Sequence, residues 1–301
     1  MSPRNPIRCG TSGWSHADWD SVIYPRVKPR GFHPVEHLAQ HLDAVEIDTS
    51  FHEALRPELV RLWISKAECN PRFQFTATLG RRFTFDRCLD EANVREFKSG
   101  LWPLLDAGRM GCLLMRFPWS FRFTKENRAF FIEVRRAFHE FPLAAEMRHS
   151  SWMFDEALGT LMDYRVGFCN IDQSEGMRAM QPSAIVTSPV GYTRLTGRGG
   201  DWTAEDGSPA YLYSPQELGQ WQARVERIGT HTTRSFVMMA NRLSGRAIVN
   251  ALQMKAMLGA STLADTGSLA QHRMQGASLK PAPTMPPRRE NVITLTRALR
   301  A

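Results

Sequence analysis

Two hydrophobic periods interleave along this chain. Short runs rich in apolar or β-branched residues recur at 7–11, 44–48, 73–78, 111–117, 143–148, 166–172, 192–196 and 235–240. Runs of that length bounded by turn residues predict buried strands. Helical spacing fills the intervals. Pro57, with Leu59, Leu62 and Trp63 after it, reads as an N1 proline ahead of an i, i+3, i+4 seam. The tetrapeptide SPQE at 214–217 predicts a capping box, with Leu218, Trp221, Val225 and Ile228 on one face behind it. After Gly245, a further seam runs through Ala247, Ala251, Met254 and Leu258.

Strands that alternate with helices imply right-handed crossovers and a parallel sheet. Eight such repeats in about 250 residues predict an α/β fold of one domain, a closed (β/α)8 TIM barrel, placed here over residues 1–262. Charge changes the picture at the C-terminal end. Residues 264–301 carry a net +4, half of the +8 of the whole chain, and include the stretch KPAPTMPPRRE. Residues 263–301 are therefore expected to form a flexible basic tail, able to touch nucleic acid weakly without a dedicated site. The N-terminus lacks an apolar leader, no apolar run approaches the ~20 residues of a membrane span, and the five cysteines are scattered. These features predict a cytoplasmic protein with reduced thiols in its core and no membrane partner.

In a TIM barrel the chemistry sits at the C-terminal ends of the strands. The residues falling there are Thr11, Ser12, Gly13 and Trp14; Glu46, Asp48, Ser50 and His52; Arg81 and Arg82; Arg116; Glu146, Arg148 and His149; Asp172 and Gln173; Arg194, Thr196 and Arg198; and Asn241. Inward charges cost several kcal/mol each unless paired, so either they brace the barrel or they line a polar pocket. Arg148, Arg194 and Arg198 read as a fork for phosphate or carboxylate, and TGRGG at 196–200 either as an anion-binding loop or as a flexible glycine turn. Trp14 or Trp19 would either stack on a sugar or base or plug the barrel end. His52 and His149 lack metal-ligand spacing, and His16, His33, His37 and His41 read as solvated, so no metal site is assigned. Neither a P-loop nor a G-x-G-x-x-G dinucleotide motif is present, and the cofactor stays unknown.

The segments CGTSGWSHADWDSVIYP (9–25), VEIDTSFHEA (45–54), AAEMRHSSW (144–152), YTRLTGR (192–198) and NRLSGRAIVNA (241–251) together resemble the domain of unknown function 72, or YecE-like, family. The resemblance implies a TIM barrel and brings no established reaction. The motif positions it carries over are Thr11, Ser12, Gly13, Trp14, Glu46, Glu146, Arg148, His149, Trp152, Arg194, Gly197, Arg198 and Asn241. The chain departs from the pattern at Asp48-Thr49-Ser50-Phe51-His52, where the family has Asn-Ser/Thr-x-Tyr. It also has Thr78 for a lysine, Thr196 for a histidine and Ala240 for an asparagine.

The expected function is an enzyme on a small anionic substrate, phosphorylated or sugar-containing, bound at the barrel mouth. Glu46, Glu146 and His149 are the candidate catalytic groups. Thr11, Ser12, Trp14, Asp48, Arg148, Asp172, Arg194, Arg198 and Asn241 are the candidate ligand-binding residues. A nucleic-acid-binding or metal-dependent phosphodiesterase-like barrel, or a ligand sensor without turnover, remain alternatives.

Overall fold

All eight expected strands form, each with ends within two residues of the expectation. The computed structural model describes residues 7–173, 179–198 and 210–259; Gly199, Gly200 and the basic tail lie outside them. The strands are β1 (Ile7–Ser12), β2 (Ala44–Ile47), β3 (Gln74–Thr78), β4 (Met110–Arg116), β5 (Leu143–Glu146), β6 (Gly167–Asp172), β7 (Val190–Leu195) and β8 (Arg234–Met239). They pair in parallel and in chain order, and β8 returns to β1, so the sheet closes as a (β/α)8 barrel. The strands are buried on both faces, which is why they read as apolar runs rather than as alternations.

The outer layer consists of α1 (Pro34–Ala39), α2 (Pro57–Lys66), α3 (Arg81–Thr84), α4 (Glu91–Asp106), α5 (Lys125–Ala137), α6 (Asp155–Asp163), α7 (Pro215–Thr230) and α8 (Arg246–Met257). Among the described residues no helix joins β6 to β7. The Ser214–Glu217 capping box forms in both directions, and Leu218, Trp221, Val225 and Ile228 are buried as expected. On α2 the seam differs from expectation. Val60 and Ala67 are buried, Trp63 and Ile64 pack on the core, and Leu62 points outward. Two apolar stripes were available one residue apart, and packing against α1 and α4 chose the one containing Val60.

Gly10 marks the tightest approach between strands. A Cβ there would sit 2.2 Å from the Ala44 carbonyl oxygen of β2. Gly10→Ala must push β1 away from its neighbour, with an expected loss of about 1–3 kcal/mol in chemical denaturation. An unchanged midpoint would show that the strand edge yields freely.

The final helix closes over the first βα unit. Lys255 of α8, almost wholly buried, donates to the His41 carbonyl and to Asp43 Oδ1, each at 2.9 Å. Cys9, Cys112 and Cys169 are buried, and burial pushes their thiols well up, so they act as small core hydrophobes. Cys69 and Cys88, expected in the core, are exposed and unpaired with one another. Among the described residues no helix is long and apolar enough to cross a membrane.

Candidate functional site

Strand register stacks the inward charges in one layer. Ser12 lies opposite Glu46, Arg116 opposite Glu146, and Ile171 opposite Arg194. With a side-chain period of two, these positions share the lumen face, at the C-terminal end of the barrel. Gly111 lower down leaves room for the Phe236 ring, which helps fill the lumen beneath the charged layer.

Arg194 is the hub. Its Nε donates to both oxygens of Glu46 at 3.1 and 3.3 Å, its Nη1 to Glu146 Oε2 at 3.3 Å, and its Nη2 to Ser12 Oγ at 3.3 Å. Glu46 also accepts from the Ser12 hydroxyl at 2.5 Å and the Tyr192 phenol at 2.7 Å. Glu146 accepts from Arg148 through Nε and Nη2, both at 3.1 Å, and lies 3.6 Å from Arg116 Nε. Both carboxylates are at most 1% exposed. Such burial is tolerable because every charge meets an opposite one and spare lone pairs are hydrogen-bonded.

The electrostatics follow from the packing. Burial pushes the Glu146 carboxyl up, but Arg194, Arg116 and Arg148 outweigh it and hold it down at about 2. Burial also pulls Arg116 down, and two neighbouring guanidinium groups add to that, leaving it at about 10 and still charged at neutral pH. Burial beside Glu46 keeps the Tyr192 phenol neutral, so it remains a donor. Three guanidinium groups face two carboxylates here.

Above this layer opens a cavity of about 570 Å³. Arg116, Arg194 and Ser12 reach its floor, and Trp14, Trp63, Asp48, His16, His33, His52 and Arg242 form its walls. Trp14 meets Trp63 edge to face with ring centroids 4.9 Å apart. Trp19, by contrast, is fully buried, donates from its indole to the Arg242 carbonyl and packs against His16 and Tyr24.

The remaining candidates stand elsewhere. Thr11 donates to the Gly13 carbonyl. Asp172 points outward, accepting from Arg198 at 2.8 and 3.0 Å and from the Trp221 indole of α7 at 3.2 Å. Arg198 also reaches Glu217 at 3.2 Å, so it ties β7 to α7 and does not form the expected fork with Arg194. Asn241 donates to Asn250 and to the Tyr211 carbonyl, behind β8. His149 caps the single-turn helix Ser150–Met153 through the Ser151 amide, beside the Trp119 ring. Arg148 and Glu146 lie beneath the cavity rather than on its wall.

Some residues were missed. His16, His33, His37 and His41, expected in solvent, are half-buried. His33 Nδ1 accepts from the Val35 amide, and His37 packs against Tyr24 and His41. His33 and His16 reach the cavity wall. Arg116 was legible as the last inward position of β4, whereas Trp63 and Arg242 come from other elements and carry no local signal. Thr78 stands where the resemblance leads to the expectation of a lysine, and Arg116 supplies a cation to the cavity. Among the described residues no three His, Cys, Asp or Glu side chains converge as a metal site.

Comparisons with known proteins agree with the barrel fold. The family model described as "Protein of unknown function DUF72" matches residues 8–274. The UPF0759 protein YunF of Bacillus subtilis is 24% identical, over 84% of this chain and 94% of its own. The UPF0759 protein YecE of Escherichia coli K12 is 28% identical over 48% of each chain. A crystal structure of a DUF72 family protein from Thermotoga maritima superimposes with a TM-score of 0.73 at 26% identity, covering 84% of this chain and 99% of that one.

Proposed function

Because the chain belongs to the DUF72 family, whose description carries no activity, we propose a function from the site itself. The barrel mouth binds a small anionic substrate, phosphorylated or sugar-containing, and acts on it as an enzyme. One observation carries this reading: Arg116 and Arg194 reach the same cavity as the indoles of Trp14 and Trp63 and the polar side chains of Asp48 and His16. Guanidinium groups suit an anionic head, and indole edges and faces suit a sugar ring.

The roles within the site then separate. Glu146, held near a pKa of about 2, is a fixed negative charge that orients Arg148 and Arg194. Glu46, enclosed by Ser12, Tyr192 and Arg194, orients Arg194 from the other side. Thermal unfolding in phosphate, citrate, sulfate and nucleotides tests the reading. An anion at about a hundred times its Kd is expected to add about 2.7 kcal/mol of stability to the wild type, and little to Arg116→Met. A wild type indifferent to all of them would overturn the proposal.

A further inference from the structure

Ser12 ends β1 opposite Glu46 on the lumen face, and it lines the cavity floor beside Arg116 and Arg194. Its hydroxyl donates to Glu46 Oε1 at 2.5 Å, within the short range of a charge-assisted bond between a hydroxyl and a carboxylate. Glu46 is fixed in turn: Oε2 accepts from the Tyr192 phenol at 2.7 Å, and both oxygens accept from Arg194 Nε. A hydroxyl with a carboxylate at its proton, and further groups holding that carboxylate, is the arrangement of an activated nucleophile. From the other side the Ser12 oxygen accepts from Arg194 Nη2 at 3.3 Å. A hydroxyl oxygen has two lone pairs, so one remains to form a bond.

Other groups near the mouth are worse placed for attack. Ser15 and Thr49 also line the cavity, but among the described residues neither donates to a carboxylate. The Tyr192 phenol is committed to Glu46, and burial beside that carboxylate keeps its proton on. Cys112 and Cys169 lie outside the cavity lining, and burial pushes both thiols well up.

We propose that Ser12 is the nucleophile of a phosphoryl transfer, with Glu46 as its general base and a phosphate monoester as the substrate class. The proposal deepens the anion-binding reading above and rests on it. Arg194 touches both the attacking oxygen and the base, so its charge supports the alkoxide as the proton departs. The bond from Oγ to phosphorus forms as the bond from phosphorus to the alcohol oxygen breaks, and the serine proton passes to Glu46. The alcohol oxygen leaves with the electron pair and takes a proton from water, which becomes hydroxide. A second water then attacks phosphorus, and Oγ departs with its electron pair and recovers its proton from Glu46. The proton that this water releases neutralises the hydroxide, so one ester and one water give one alcohol and one phosphate.

Monofluorophosphate tests the proposal, because it has the shape and charge of sulfate and its fluoride leaves without a proton. The wild type is expected to release fluoride and to gain a phosphoryl group, which peptide mapping after an acid quench places on Ser12. Where hydrolysis outruns trapping, fluoride release that disappears in S12A carries the same meaning. S12A keeps Tyr192 and Arg194 on Glu46, so circular dichroism should find it folded, and it should take no label. E46Q should label about a hundredfold more slowly, and labelling at the wild-type rate would remove the base. Should E46Q not fold, the wild-type map and S12A decide the assignment. A wild type that phosphate or monofluorophosphate stabilises against heat, but that gains no adduct and releases no fluoride, would overturn the proposal and leave the anion site standing. So would an adduct on another residue, or one that persists in S12A. A wild type that neither anion stabilises or labels would remove the anion site as well.

Discussion

Arg194→Met is expected to cost about 3–5 kcal/mol of stability, because it strands two buried carboxylates at once. Glu46 loses its guanidinium partner, Glu146 loses one of three, and Ser12 loses a donor. Arg116→Met should behave differently. Its contact to Glu146 is long at 3.6 Å, and Arg148 and Arg194 still hold that carboxylate. Methionine can also keep packing on the Phe51 ring that Arg116 covers. A loss of about 1–2 kcal/mol is expected there, with anion binding as the main casualty. Urea denaturation of the two variants separates bracing from binding. Equal losses in both would show that the whole layer is a brace.

Acid unfolding should be governed largely by Glu146. Its carboxyl is held at about 2 in the folded protein, after burial is outweighed by three guanidinium groups, whereas the unfolded chain restores the ordinary value near 4.3. A depressed pKa contributes stability above the unfolded value and loses it as pH falls through the folded one. The expected contribution is about 3 kcal/mol at neutral pH, declining from about pH 5 to about pH 2. Stability measured across that window in the wild type and in Glu146→Gln checks it. The variant should start lower and lose less on acidification, and parallel curves would assign the acid sensitivity to other carboxylates.

Much of the barrel was legible because parallel strands buried on both faces leave apolar runs that local spacing reveals. The mouth was legible for a related reason, since strand ends in this fold lie at one rim. Parity was the weak point. Ile171 and Asp172 are adjacent, and only the register Ile171 to Arg194 decides that Asp172 faces α7. Arg198 and Asn241 lie past their strands, where alternation no longer governs direction. His16, Trp63 and Arg242 reach the cavity from a loop after β1, from α2 and from beyond β8. No local pattern could have gathered them, because long-range packing does so.

The unbroken neighbour order of the strands sets a sequence of assembly. Seven of the eight strand pairings join segments adjacent along the chain, and one, β1 with β8, joins its two ends. Each neighbouring pair closes a modest loop, whereas the last must close a loop of more than two hundred residues, Ile7 against Ser235. Loop-closure entropy alone predicts that the seam between β1 and β8 closes late in folding. It is also where α8 lays Lys255 onto Asp43, so the barrel is shut by its last helix in the manner of a latch. Glu46 and Arg194 meet across the lumen from β2 and β7, on either side of that seam. The charged layer is complete only once the latch is home.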